Sequence, residues 1–344
     1  MIQRPGIGRR LLWGSWIALV LAGRPTQAQE TPPKSSPRTL VDLRGPQGHS
    51  DSVTCVAFSP DGKLALSGSA DNKVKLWDLS NGALLRTLEG HTDDVSSVAF
   101  SPDAKQALSG SSMDRDRTVK LWDLSSGALL KTLKTRDDVG KPVAFSPDAK
   151  LALTSTGGSL VLWDPSSDPG VRMLEGHKRG YSINSALFSP DGTQLLSGSD
   201  DRTLRLWDCS TGKTVKILEG HEKYVRSVVF SPDGKSALSG GSGSLILWDL
   251  TDGKARKTLE TGELSYAFVA ISRDGKLALS AGIHRDGRYW ETMVKVWDLS
   301  TGTALHELKG DLVFSGVVFG PDDKGVLIAE GGVIKLWNPS GGQK

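Results

Sequence analysis

From residue 38 onward, short apolar runs alternate with turn-forming residues, and no stretch sustains a helical period. The first unit runs Val53–Phe58, the turn Ser59-Pro60-Asp61-Gly62, Lys63–Ser67, and a second turn from Gly68 to Asn72. It continues with Lys73–Trp77, the turn Asp78–Gly82 and the run Leu84–Leu88. Apolar and β-branched runs of about five residues between Pro, Asp and Gly predict four antiparallel strands. The same order recurs down the chain. Trp-Asp or Trp-Asn pairs fall at Trp77, Trp122, Trp163, Trp207, Trp248, Trp297 and Trp337, with gaps of 45, 41, 44, 41, 49 and 40 residues. A period of this size marks a repeat array. One four-stranded unit cannot cover both of its faces, so seven units are expected to pack side by side in a ring.

The two ends of the array suggest how the ring shuts. After Trp337 only Asn338-Pro339-Ser340-Gly341-Gly342-Gln343-Lys344 follow, so unit seven lacks an outer strand of its own. Upstream of unit one, Thr39-Leu40-Val41-Asp42-Leu43-Arg44-Gly45 follows the pattern of Thr87-Leu88-Glu89-Gly90. The N-terminal strand is therefore expected to complete the last blade and leave no open edge.

Gly-His pairs precede the first strand at Gly48-His49, Gly90-His91, Gly176-His177 and Gly220-His221. With Ser-Pro-Asp-Gly, Ser-Gly-Ser and Trp-Asp, they make residues 38–344 resemble the WD-repeat (WD40) β-propeller family. The resemblance implies an all-β fold of seven four-stranded antiparallel blades that usually serves as a protein-binding platform. It also implies a buried bracing chain of Trp, Ser, His and Asp within each blade. In blade one these are Trp77, Ser67, His49 and Asp71; in blade two Trp122, Ser109, His91 and Asp116; in blade four Trp207, Ser197, His177 and Asp201. Blade five keeps His221, Ser239 and Trp248 without an acid at the turn, and blade three has Arg136 in place of histidine. Blades six and seven carry Gly262 and Asp311 there, and Ile328 replaces the serine of blade seven. Ser, His and Asp recurring with tryptophan, and with no oxyanion-hole motif, read as bracing rather than as a hydrolase triad.

Residues 1–28 read as an export signal: Arg4, Arg9 and Arg10, an apolar stretch from Leu11 to Ala22, then Thr26-Gln27-Ala28. The Pro/Ser-rich residues 29–37 read as a linker. A secreted or periplasmic protein with no membrane span after signal removal is the resulting expectation. Charge then changes meaning. The chain has 42 basic and 39 acidic groups, but without the four arginines of residues 1–28 the basic groups fall one short of the acids. Phosphate-backbone binding needs clustered cations, so no nucleic-acid partner is expected. Cys55 and Cys209 lie on blades nearly half a ring apart and are expected to be inert. The predicted inner strands carry no Asp, Glu or His, and no P-loop, GxSxG or HExxH occurs. No catalysis, cofactor or metal is expected.

Spacing locates the recognition surface. Each tryptophan stands 14 residues before the next histidine position, and the end of the first strand stands 9 before the serine position. Variation is confined to the inter-blade links and the second–third turns, the latter running 10, 13, 9, 10, 9, 17 and 9 residues from serine position to tryptophan. In a meander these two sets share one face, and variable loops on a rigid scaffold carry recognition. That face also holds the tyrosines. Candidate partner-binding residues are Arg179, Tyr181, Tyr224, Arg226, Tyr266, Arg285, Arg288, Tyr289 and Trp290, over blades four to six. Asp51, Asp93, Asp94, Asp137 and Asp138 make blades one to three acidic. The expected function is a monomeric scaffold for a protein or peptide partner of acidic character. The alternatives are a small-ligand or enzymatic propeller using the channel mouth, and recognition of a cell-envelope polymer.

Overall fold

The computed structural model describes residues 37–339, apart from 112–115, 135–142, 157, 168–169, 287–288, 311–313 and 321–322. The export and linker expectations lie outside these residues, save Pro37. Seven blades of antiparallel strands form a propeller, with no helix among the described residues. Blade one is Val53–Phe58, Leu64–Ser69, Lys73–Asp78 and Leu84–Glu89, paired in that order. Blade two (Val95–Lys134) and blade four (Ile183–Glu219) repeat it. In blade three the inner strand is described only at Ala144–Phe145.

Apolar clusters fill the wedges between neighbouring blades. One joins Leu196, Leu204, Leu206 and Leu218 of blade four to Val225, Val228, Phe230 and Trp248 of blade five. The wedge explains the glycine of the Gly-His pair: a Cβ on Gly176 would lie 2.8 Å from the Trp207 ring. Side chains also stitch the inner strands, which are the channel-side edges of their sheets. Thr54 Oγ1 donates to the Val95 carbonyl, Asn184 Nδ2 to that of Val225 (2.8 Å) and Ser315 Oγ to that of Val53 (3.1 Å).

The ring closes through the N-terminal strand. Arg38–Asp42 pairs antiparallel with Val333–Trp337, in the order Arg38–Asp42, Val333–Trp337, Val326–Glu330, Phe314–Phe319. Val41 and Leu43 are 2% and 0% exposed, in one cluster with Trp77 of blade one and Ile334 of blade seven.

Blades five and six depart from the repeat by joining into one continuous sheet. Ser236–Asp249 doubles back at Gly243 (φ +90°): its first arm pairs with Val225–Phe230 and its second with Lys254–Ile271. The strand Lys254–Ile271 is outer strand to blade five and then inner strand to blade six. Its middle crosses between the blades in β pairing, Thr261 opposite Ser244 and Ser265 opposite Ser242. The long excursion after Ala281 is likewise a hairpin and not an irregular loop. Leu277–Asp286 pairs with Tyr289–Asp298 out to Arg285 opposite Trp290 and Asp286 opposite Tyr289.

Candidate functional site

The bracing residues come together as hydrogen-bonded relays. In blade one the Trp77 indole N–H donates to Ser67 Oγ (2.8 Å), which lies 2.7 Å from His49 Nε2; His49 Nδ1 is 2.9 Å from Asp71. Blade two gives 2.8, 2.7 and 2.7 Å for Trp122, Ser109, His91 and Asp116. Blade four gives 2.8, 2.7 and 2.8 Å for Trp207, Ser197, His177 and Asp201. A carboxylate only accepts, so in the neutral ring Nδ1 carries the proton. Nε2 then accepts from the serine hydroxyl, which accepts from the indole. The serines are fully buried. Burial works against the Asp116 carboxylate, yet bonds from His91, Thr118 and the Thr92 N–H outweigh it and hold it down at about 2. No serine hydroxyl here faces an open cleft, so the relay braces the blade.

Blade five solves its missing acid with a residue the sequence did not flag. Ser244 Oγ lies 2.7 Å from His221 Nδ1, in the position taken elsewhere by a carboxylate. The remaining links, His221 to Ser239 (2.6 Å) and Trp248 to Ser239 (2.8 Å), match the other blades. Among the described residues of blade six, the Trp297 indole N–H donates to Ser280 Oγ (2.9 Å).

The inter-blade links and second–third turns lie against one another, as the strand order requires. Gly158, in the second–third turn of blade three, stands against the carbonyls of Lys178 and Tyr181 in the link entering blade four. The Ser242 N–H donates to the Tyr224 carbonyl (3.1 Å). Tyr181 and Tyr224 are 44% and 43% exposed, and Lys178, Arg179 and Lys223 are exposed beside them. Arg226 is held in place: its guanidinium lies 5.1 Å from the Tyr224 ring centroid, and Nη1 donates to Asp200 Oδ1 (3.1 Å) and Asn184 Oδ1 (3.4 Å). Asn184 Nδ2 also donates to Asp200 (2.7 Å), so three side chains from two blades fix one cation. Asp200 and Asn184 were absent from the sequence candidates. The signal was Asp200-Asp201, where the first acid is free to serve a second partner because the second belongs to the relay.

Other candidates are placed only by backbone. Tyr266 pairs with Gly282, and Arg285, Tyr289 and Trp290 sit at the end of the blade-six hairpin. Their side chains, and the whole of Arg288, lie outside the described residues, as do Asp137 and Asp138. On the acidic side, burial and then the charges of Asp93 and Asp51 push the Asp94 carboxyl up, so the three acids share a field. Burial pushes the Cys55 thiol up to about 12; burial, then Asp208 and Asp191, push Cys209 up to about 11. Both therefore stay thiols at neutral pH. Among the described residues no group of three or more His, Cys, Asp or Glu side chains is placed to hold a metal. No helix there is long and apolar enough to cross a membrane.

The family model for the WD domain, G-beta repeat, matches residues 41–78, 82–123, 170–208 and 212–249. The chain is a WD-repeat β-propeller. Periodic tryptophan protein 2 of Arabidopsis thaliana is 33% identical over 202 residues, 59% of this chain and 22% of that protein. Protein Mut11 of Chlamydomonas reinhardtii is 47% identical over 58 residues, 16% of each chain. Small ribosomal subunit protein RACK1y of Oryza sativa subsp. japonica is 44% identical over 59 residues, 17% of this chain and 18% of that one. The WD-repeat chain thus aligns with less than a quarter of the length of each of these relatives. These relatives overturn one expectation. Periodic tryptophan protein 2 and RACK1y are intracellular proteins, the latter named as a small ribosomal subunit protein, and they contradict a secreted or periplasmic location. A basic and apolar opening segment is a compositional signal, independent of the propeller that follows it.

Proposed function

We propose that this WD-repeat propeller is a non-catalytic, monomeric scaffold that binds a protein or peptide partner of acidic character over blades four to six. The observation that carries the reading is the pair of exposed rings, Tyr181 and Tyr224, beside an arginine already held in place. Tyr and Arg dominate interface hot spots because they bring large contact area and several donors at small entropic cost. Arg226 is fixed by Asp200 and Asn184 before any partner arrives, which lowers the ordering cost of binding. Lys178, Arg179 and Lys223 around it favour an acidic segment and repel a basic one. Tyr266, Arg285, Arg288, Tyr289 and Trp290, read from the sequence, are the blade-six part of the proposed surface.

Peptide-display selection on the full chain tests this reading. Selected peptides should be rich in Asp and Glu and should lose affinity as salt rises. Tyr224→Ala and Arg226→Ala should each weaken them roughly tenfold or more, with an unchanged melt. Peptides without acidic residues, or affinity indifferent to both variants, would refute it.

A further inference from the structure

Six inner strands end on an aromatic ring: Phe58, Phe100, Phe145, Phe188, Phe230 and Phe319. Blade six ends on Ile271 instead. The consequence is visible against the neighbouring wedge. Between blades four and five, Leu206, Phe230 and Leu250 share one cluster and are only 1%, 5% and 5% exposed. The matching trio between blades five and six is Leu247, Ile271 and Leu299, and all three are only partly buried. A cleft of about 490 Å3 opens over them, walled by Pro232 and Asp233 on one side and Arg273 and Asp274 on the other. It lies at the ends of the inner strands opposite Tyr181 and Tyr224.

We propose that this cleft binds the phenyl ring of a phenylalanine side chain presented by a partner protein. The group that the repeat supplies in the other six blades, and that blade six lacks, is a phenyl ring, and the floor is aliphatic. Its volume falls within the range of small-ligand sites, roughly 300–1,000 Å3. The rim opposes an anion. Hydroxyl bonds from Ser231 and Ser272 hold the Asp233 and Asp274 carboxyls below their usual range, so both stay charged. The Arg273 guanidinium is directed to blade one, where Nη2 donates to the Pro60 carbonyl (2.6 Å). A neutral ring settles on the leucines without meeting an unpaired charge.

The test uses the full chain and N-acetylphenylalaninamide as probe, read by saturation-transfer NMR. Saturation should reach the ring protons of the probe, while N-acetylalaninamide shows none. Ile271→Phe, which restores the repeat's own ring, should cut the signal at least fivefold without lowering the melting temperature. Leu299→Phe fills the same space from the other wall and should do likewise if Ile271→Phe fails to fold. Tyr224→Ala, at the opposite end of the ring, should leave the signal intact. No transfer to the parent chain, full transfer in a folded filled variant, or loss on Tyr224→Ala would each overturn the proposal.

Discussion

His221 Nδ1 lies 2.7 Å from Ser244 Oγ, whereas the same nitrogen of His49, His91 and His177 faces an aspartate. Burial alone lowers His221 to about 4, with no carboxylate beside it to favour the charged ring. In the unfolded chain the ring titrates near ~6.5, so the unfolded state takes up the proton first as pH falls. The contribution of the neutral ring is therefore complete above about pH 6.5 and is lost as pH falls towards 4.

Denaturant unfolding at pH 7 and pH 5 should register this as a loss on the order of 2 kcal/mol. Ser244→Asp supplies the carboxylate that blades one, two and four already have, and should flatten the dependence. The relay aspartates act in a lower window: Asp116 at about 2 keeps its contribution until pH drops below the ordinary carboxylate range. An unaltered pH profile in Ser244→Asp would show that His221 is not the titrating group.

Serines in the relay differ in how many partners they hold. Ser197 serves both Trp207 and His177, so Ser197→Ala strands two buried groups and should cost about 2–4 kcal/mol. Ser244→Ala strands only one ring nitrogen and should cost about 1 kcal/mol. Midpoints of urea unfolding give both numbers, and a reversed order would contradict the relay.

Closure depends on a short strand. A chain beginning after Arg44 loses the pairing to Val333–Trp337 and the buried side chains of Val41 and Leu43. Relative to a chain beginning at Pro37, it should be less stable by roughly 3–6 kcal/mol, counting about 1.5–3 for each fully buried aliphatic side chain. Equal melts for the two chains would mean that the ring closes without that strand.

Arg273 ties blade six to blade one. Besides its bond to the Pro60 carbonyl, its backbone N–H donates to Asp323 Oδ2 (2.9 Å), so the residue spans the turn of blade seven. Arg273→Ala should cost about 1 kcal/mol and speed amide exchange across Ser59–Gly62. Exchange unchanged there would make the contact incidental.

Much of this was readable from spacing alone. Seven tryptophans and the Ser-Pro-Asp-Gly turns determine the blade count and strand order, and the Thr39–Gly45 pattern points to closure. Pairwise substitution was harder to read. Ser244 replaces an acid from a different position in the turn, and a serine in a Gly/Ser run carries no signal of its own. The fusion of blades five and six also escaped, because Gly262 and its polar neighbours look like an ordinary link until Ser244 and Ser242 pair with them. In the sequence Ile271 is one more apolar residue at a strand end; its neighbours' exposure reveals the missing ring. Arg226 and Tyr224 were foreseen as neighbours in sequence, while Asn184 and Asp200, some 26 to 42 residues away, required the fold.

The central claim is that a partner engages the tyrosines and arginine of blades four and five. Hydrogen exchange of the full chain, with and without a display-selected acidic peptide, tests it most directly. Protection should concentrate at residues 178–184 and 222–227, and should vanish in Arg226→Ala. Protection confined to the acidic blades, or to the opposite face of the ring, would contradict the account.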